Sequence, residues 1–306
     1  MSYDLYFKLR KPEPLPFGAF AAHFQPRRNY KVLPQQAICQ NEDTGVYFSF
    51  DLGKLQNEER TDLLPIKFNL NYMRPHVFAL EAEPEVRMLV KRFDLLVIDP
   101  QIGGMGEGEY STDGFLAGWN KGNDIGYRAV LDTHMDEVML TLPAPRIEEC
   151  WRWNYARHEL QRQLGDDIFV PRYMFVRRGD KIITVVTWAD AIPIAIPQAD
   201  AVFIVPRETL CWKDHRGTDN DVAMAEWSQI EPILAPFPVA HAALPYRLLR
   251  YSRPPLSLVT QLKALAVPAE KQVGVSVDQI LDAELLAQAR IEVARNPTIR
   301  VAGGEK

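Results

Sequence analysis

The sequence predicts an α+β protein of two subdomains, each a mixed or antiparallel sheet covered by helices. Three observations predict it. Short segments alternate apolar and polar residues, the period of strands with one buried face. Other segments place apolar residues at i, i+3, i+4 and i+7, the period of amphipathic helices. A glycine-rich stretch, QIGGMGEGEY at 101–110, separates a first block of such segments from a second.

In the first block, Tyr3, Leu5, Phe7 and Leu9 alternate with Asp4, Tyr6, Lys8 and Arg10 and read as a strand. Phe17, Phe20 and Phe24 mark a short helix. Val46, Phe48, Phe50 and Leu52 alternate with Tyr47, Ser49 and Asp51, and Ile66, Phe68, Leu70 and Tyr72 alternate in the same way. Val86, Leu89, Val90 and Phe93 form a helical stripe. Pro84 suits its first position, Glu85 its positive end, and Lys91 and Arg92 its negative end. A short strand follows at Leu95–Ile98. Residues 1–102 are expected to form an N-terminal α+β domain.

Gly103, Gly104, Gly106 and Gly108 argue against helix or strand at 101–110, which marks the boundary. A C-terminal α+β domain is expected over 110–306. It opens on helical material with Ser111 or Thr112 as N-cap and an interruption at Gly122-Asn123. A longer helix spans about 145–164. Its stripe is Ile147, Cys150, Trp153, Ala156, Leu160 and Leu164, and Gly165 is its stop. Glu148 and Arg152 are spaced for an i, i+4 pair. Val170–Val176 and Ile182–Trp188 read as a hairpin around Arg177-Arg178-Gly179-Asp180. The Arg-Gly-Asp triplet, an integrin ligand in other contexts, stands where the hairpin needs its turn. Ala201–Val205 is a further strand, 213–221 a polar loop, and 247–251 a strand. Helices are expected near 256–265 and 276–294.

Composition narrows the function. The chain has 306 residues, 47% hydrophobic and 25% charged, which is globular. At that length burial alone can hold a fold, without metal or disulfide. A net charge of −5 argues against a general nucleic-acid binder. Cys39, Cys150 and Cys211 are far apart and form no CxxC pair, which disfavours a zinc knuckle or thioredoxin-like motif and fits a reducing compartment. Neither a secretory signal nor an apolar run of membrane-spanning length is read, so a cytoplasmic protein without a membrane partner is expected.

Each candidate motif has a competing plain reading. Asp43-Thr44-Gly45 matches the aspartic-protease triplet, but that chemistry needs two carboxylates sharing a proton, and the triplet occurs once. A turn before the strand at Val46 accounts for it. The stretch GGMGEG misses the dinucleotide spacing and the Walker lysine, and Glu107 and Glu109 repel phosphate, so a linker or surface loop is the better reading. The loop KDHRGTDND offers Asp214, His215, Asp219 and Asp221 as possible metal ligands without matching an EF-hand. Cys150 and His158 lie too far apart along a helix for a dyad, and no GxSxG or HExxH occurs. Trp151 and Tyr155, beside Arg152, have the composition of a protein–protein hot spot, against a core-packing alternative.

Three segments carry a resemblance: MSYDLYF, NEDTGVYFSFDL and FNLNYMRPHVFALEA, with a weaker one at WADAIPIAIPQADAVFIVP. They are similar to an uncharacterised bacterial family with the same opening and an Asn-Tyr-x-Arg-Pro segment. That family resembles accessory proteins of bacterial toxin loci, immunity proteins above all. The resemblance implies a cytoplasmic binding protein that neutralises a cognate toxin by occluding it, with no catalytic residue, cofactor or metal. The expected partner is a protein toxin or secreted effector. The expected contact residues are Glu107, Glu109, Trp151, Arg152, Tyr155, Asp214, His215 and Asp219. The alternatives are a hydrolase or metal-dependent enzyme using the 213–221 loop, and a chaperone or adaptor of a secreted effector.

Overall fold

A computed structural model describes residues 1–11, 17–52, 64–101, 103–133, 139–210, 222–241, 243–265 and 272–295. The fold is α+β. The chain divides into two units: Met1–Ile147 with Val277–Lys306, and Glu148–Ser276. The second unit is therefore an insertion in the first. The boundary expected at 101–110 lies inside the first unit. Glycine content suggested a break there, but a strand at Gly106–Gly108 closes the edge of the first unit's sheet within that stretch.

The first unit contains β1 (Ser2–Leu9), α1 (Phe17–Phe24), β2 (Tyr30–Leu33), β3 (Gln36–Gln40), β4 (Tyr47–Leu52), β5 (Ile66–Asn71), α2 (Val77–Phe93), β6 (Leu95–Asp99), β7 (Gly106–Gly108), α3 (Thr112–Thr133) and β8 (Thr141–Leu142). The first seven strands make one antiparallel sheet in the order β2-β3-β4-β5-β1-β6-β7. The alternation read in the sequence decides which face is buried. Tyr3, Leu5, Phe7, Phe48, Phe50, Phe68 and Leu70 point to the core, while Asp4, Tyr6, Ser49, Lys67 and Asn69 are only partly covered. Phe24 on α1 meets Phe50 with ring centroids 4.8 Å apart, and Phe115 on α3 meets Tyr3 at 5.3 Å. Each buried aromatic of this kind contributes roughly 2–3 kcal/mol. The helices and the buried sheet face thus share one aromatic core.

Two helices differ from expectation. α2 begins at Val77 and carries Pro84 inside it rather than at its first position. A mid-helix proline costs about 3 kcal/mol, but the preceding turns bury Val77, Phe78, Ala79 and Ala82, and that burial outweighs the lost bond. α3 runs through Gly122-Asn123 without a break. A Cβ at Gly122 would stand 2.2 Å from the Tyr72 ring, so glycine there lets helix and strand end approach. Asn123, fully buried, accepts the Met73 N–H at 2.5 Å and donates to the Arg74 carbonyl at 2.8 Å. Both residues serve packing. Ser111 caps α3, its Oγ accepting the Gly114 N–H at 3.1 Å.

α4 (Ala144–Leu164) leads into the second unit. There follow β9 (Met174–Arg178), β10 (Lys181–Ala189), β11 (Ile194–Pro197), β12 (Ala201–Val205), β13 (Ala223–Glu226), α5 (Trp227–Leu234), β14 (Val239–Ala240), β15 (Tyr246–Leu249), α6 (Leu256–Ala264) and β16 (Val273–Val275). One sheet, β13-β12-β10-β9-β16, is mixed because β10 and β12 run parallel. A second, β11-β15-β14, is antiparallel. The hairpin β9–β10 turns at Gly179-Asp180, as the Arg-Gly-Asp triplet suggested.

The chain then returns to the first unit. The helix expected over 276–294 is shorter: Val277–Gln279 is a 3-10 turn, Leu281–Asp282 is β17, and only Ala283–Arg295 is helical, as α7. β17 pairs in parallel with β8, and these backbone bonds compete with helix over 280–282. Leu281, Leu286 and Ala289 pack with Tyr127 and Leu131 of α3. Among the described residues no helix is long and apolar enough to cross a membrane.

Candidate functional site

The inner and outer faces of α4 do different work. On the inner face, Cys150, Trp153 and Leu160 are buried as the stripe predicted. Its polar members hold an extended segment. Trp153 Nε1 donates to the Pro171 carbonyl at 2.7 Å, and Arg157 Nε donates to that of Val170 at 2.9 Å. Asn154 accepts the Tyr173 N–H at 2.8 Å and donates to the Tyr173 carbonyl at 3.1 Å. Gln161 accepts the Val170 N–H at 3.1 Å and donates to the Ile168 carbonyl at 2.6 Å. Apart from Phe169, whose backbone bridges to Ile194 at the start of β11, the segment 168–173 satisfies these groups on side chains of α4 rather than on a strand neighbour. That is why the structure starts β9 at Met174, where a strand from Val170 was expected.

The outer face presents Trp151, Arg152 and Tyr155. Tyr155 is 56% exposed and Trp151 is partly buried, with ring centroids 5.6 Å apart. Arg152 is exposed and pairs with Glu148 one turn back, which pre-orders the guanidinium at small energetic gain. The core-packing alternative therefore does not hold for Tyr155.

The other expected contact residues fare differently. Glu107 pairs with Lys8. Glu109 accepts from Arg10 Nη2 at 2.6 Å, and Arg10 also reaches Asp94 at 3.0 Å. Both glutamates lie on or beside the β7 edge, and they balance charges of their own sheet. Asp214, His215 and Asp219 lie outside the described residues, as does the whole 213–221 loop. The glycine-rich stretch is pinned rather than free. Asp99, 4% exposed, accepts the N–H groups of Gln101 at 3.0 Å and Met105 at 2.9 Å and the Tyr3 hydroxyl at 2.6 Å. Those N–H groups serve a carboxylate of the chain itself.

Asp43-Thr44-Gly45 is a turn. The Gly45 N–H donates to the Asn41 carbonyl at 2.7 Å, and Thr44 Oγ1 accepts the Val46 N–H at 3.3 Å. Asp43 pairs with Arg28 at 3.4 Å. Cys39 is buried near Glu81 and Glu85. Burial first, then those carboxylates, push its thiol well above its usual range, away from the reactive thiolate. Among the described residues no group of three His, Cys, Asp or Glu side chains is placed to hold a metal ion.

Sequence reasoning missed one polar constellation. Arg74 donates from Nε and Nη2 to the Tyr47 hydroxyl, at 3.0 and 2.8 Å, and that hydroxyl donates to Asp278 at 3.2 Å. His76 Nδ1 lies 2.7 Å from Asp282 Oδ1. Both carboxylates belong to the returning segment 277–282. The geometry resembles a base with its orienting acid, yet Asp282 also takes the His76 backbone N–H, and the whole set fastens that segment to the first unit. The segments NEDTGVYF and NYMRP drew notice as motifs, but nothing in their spacing points to residues 278 and 282.

Comparison of the chain with family models, with curated proteins and with solved structures finds no match.

Proposed function

We propose that the protein works by binding another protein, as an immunity-type factor that occludes a cognate bacterial toxin in the cytoplasm. The observation that carries binding is the outer face of α4, where Tyr155 stands 56% exposed against Trp151 and beside Arg152. Tyrosine, tryptophan and arginine are the residue types that dominate interface energetics. The helix beneath them is fixed by side-chain bonds to residues 168–173, so little order is lost on docking. The class of partner rests on the resemblance of the three N-terminal segments to an uncharacterised bacterial family that in turn resembles accessory proteins of toxin loci.

The test is a tagged capture from native cells at moderate salt, followed by expression of what is captured. A stoichiometric partner that stops growth alone, and does not when this protein is co-expressed, supports the reading. A partner whose toxicity is unchanged by co-expression moves it to an adaptor role.

A further inference from the structure

The sequence from Pro232 to Ala269 contains no aspartate or glutamate, in a chain with 40 acidic residues among 306. It does contain His241, Arg247, Arg250, Arg253 and Lys263. The second unit gathers part of it into one surface. Phe237 and Tyr251 lie with ring centroids 6.5 Å apart, and Arg247 Nη1 donates to the Phe237 carbonyl at 2.9 Å. The Tyr251 hydroxyl donates to the Ala191 carbonyl at 2.6 Å, which brings in Ile192. On and beside this surface Leu256 is 80% exposed, Val239 60% and Ile192 37%. Arg250 and Arg253 are exposed, and neither has an ion-pair partner among the described residues.

We propose that the surface formed by Val239, Arg250, Tyr251, Arg253 and Leu256 docks an acidic face of a partner protein, one in which carboxylates surround apolar side chains. An isolated exposed leucine is ordinary. Here exposed apolar groups stand beside two exposed arginines that have no ion-pair partner among the described residues, and such charge steers a complementary partner. A membrane surface fits less well. Leu258 and Leu262 of α6 are 3% and 0% exposed, so one leucine rather than a stripe faces outward. A nucleic acid would reward the arginines but gain nothing from Leu256 and Val239. The proposal stands on this charge pattern and does not require that the partner be a toxin.

The test uses the full chain and a fluorescent acidic peptide with leucines spaced among glutamates, read by anisotropy. Paired vesicle and duplex-oligonucleotide titrations serve as comparison, the vesicles rich in phosphatidylglycerol. Arg250→Glu with Arg253→Glu should weaken the peptide at least about tenfold, and Leu256→Ser about threefold. Lys181→Glu, on the β9–β10 hairpin, should leave it unchanged. Arg250→Gln with Arg253→Gln should act in the same direction by less, with melting temperature preserved. Absence of peptide binding, equal binding by the charge-reversed protein, or tighter binding of vesicle or oligonucleotide than of peptide overturns the proposal. Any of these leaves the capture experiment on the α4 face intact.

Discussion

Asp282 accepts the backbone N–H of His76 at 2.8 Å and lies 2.7 Å from the Nδ1 of the same residue, 206 positions earlier in the chain. Asp282 is 3% exposed. Replacing it by alanine leaves a backbone donor and an imidazole without their acceptor. Asp282→Ala should cost the first unit about 2–4 kcal/mol. Urea unfolding followed by fluorescence checks it. A loss under about 0.5 kcal/mol, the size of an ordinary surface substitution, would mean the segment is not held there.

His23 makes the first unit sensitive to acid. It is 7% exposed and packs against Phe24 and Phe93. Burial, then the nearby Arg27 and Arg92, lowers its pKa to about 4. The unfolded chain binds a proton near pH 6.5 and the folded one does not, so stability is full above about 6.5 and falls as pH drops toward 4. By pH 5 the loss should be about 2 kcal/mol. His23→Leu should remove this part of the slope, and equal slopes in both proteins would count against the assignment.

The approach of α3 to Tyr72 is tested by two alanines. Gly122→Ala places a Cβ against the aromatic ring, and should cost about 2 kcal/mol or more despite the better helix former. Gly18→Ala, in α1, meets nothing within 4 Å and should be neutral or stabilising by up to about 1 kcal/mol. Thermal melts of the two variants should move in opposite directions or, at least, differ clearly.

Asp190 organises a turn of the second unit by accepting four successive N–H groups, from Arg207, Glu208, Thr209 and Leu210, at 2.8–3.2 Å. Burial alone raises a carboxyl pKa; here the four bonds outweigh it and hold the group below its usual range. The stabilisation is therefore present above about pH 3.9 and is lost as pH falls through the folded-state value. Asp190→Asn should destabilise the second unit by about 2–3 kcal/mol at neutral pH. A neutral effect would show that the turn stands without the charge.

These tests lie mostly where the sequence was silent. Strands with strict alternation, such as Tyr3 to Leu9 and Val46 to Leu52, were legible because one face is buried. α4 was legible because its stripe is long and Gly165 ends it. Gln36–Gln40 and Val273–Val275 were missed, being short and lacking a clean period. α3 was read as broken because glycine and asparagine disfavour helices locally, and only tertiary contact with Tyr72 and Met73 reverses that. The domain boundary was misplaced for a related reason. A chain that leaves a unit and returns after more than a hundred residues writes nothing local about its closure, so the ties of Asp278 and Asp282 could not be seen. Of the expected contact residues, the helix that carries Trp151, Arg152 and Tyr155 was legible from its stripe, whereas the partners of Glu107 and Glu109 required the sheet order.

The most direct measurement is the affinity of the captured partner for the wild-type protein and for Trp151→Ala/Tyr155→Ala, by titration calorimetry with melting temperature in parallel. The account predicts at least a hundredfold weaker binding, about 2.7 kcal/mol, with little change in stability. Equal affinity of the two proteins, at equal stability, would contradict it.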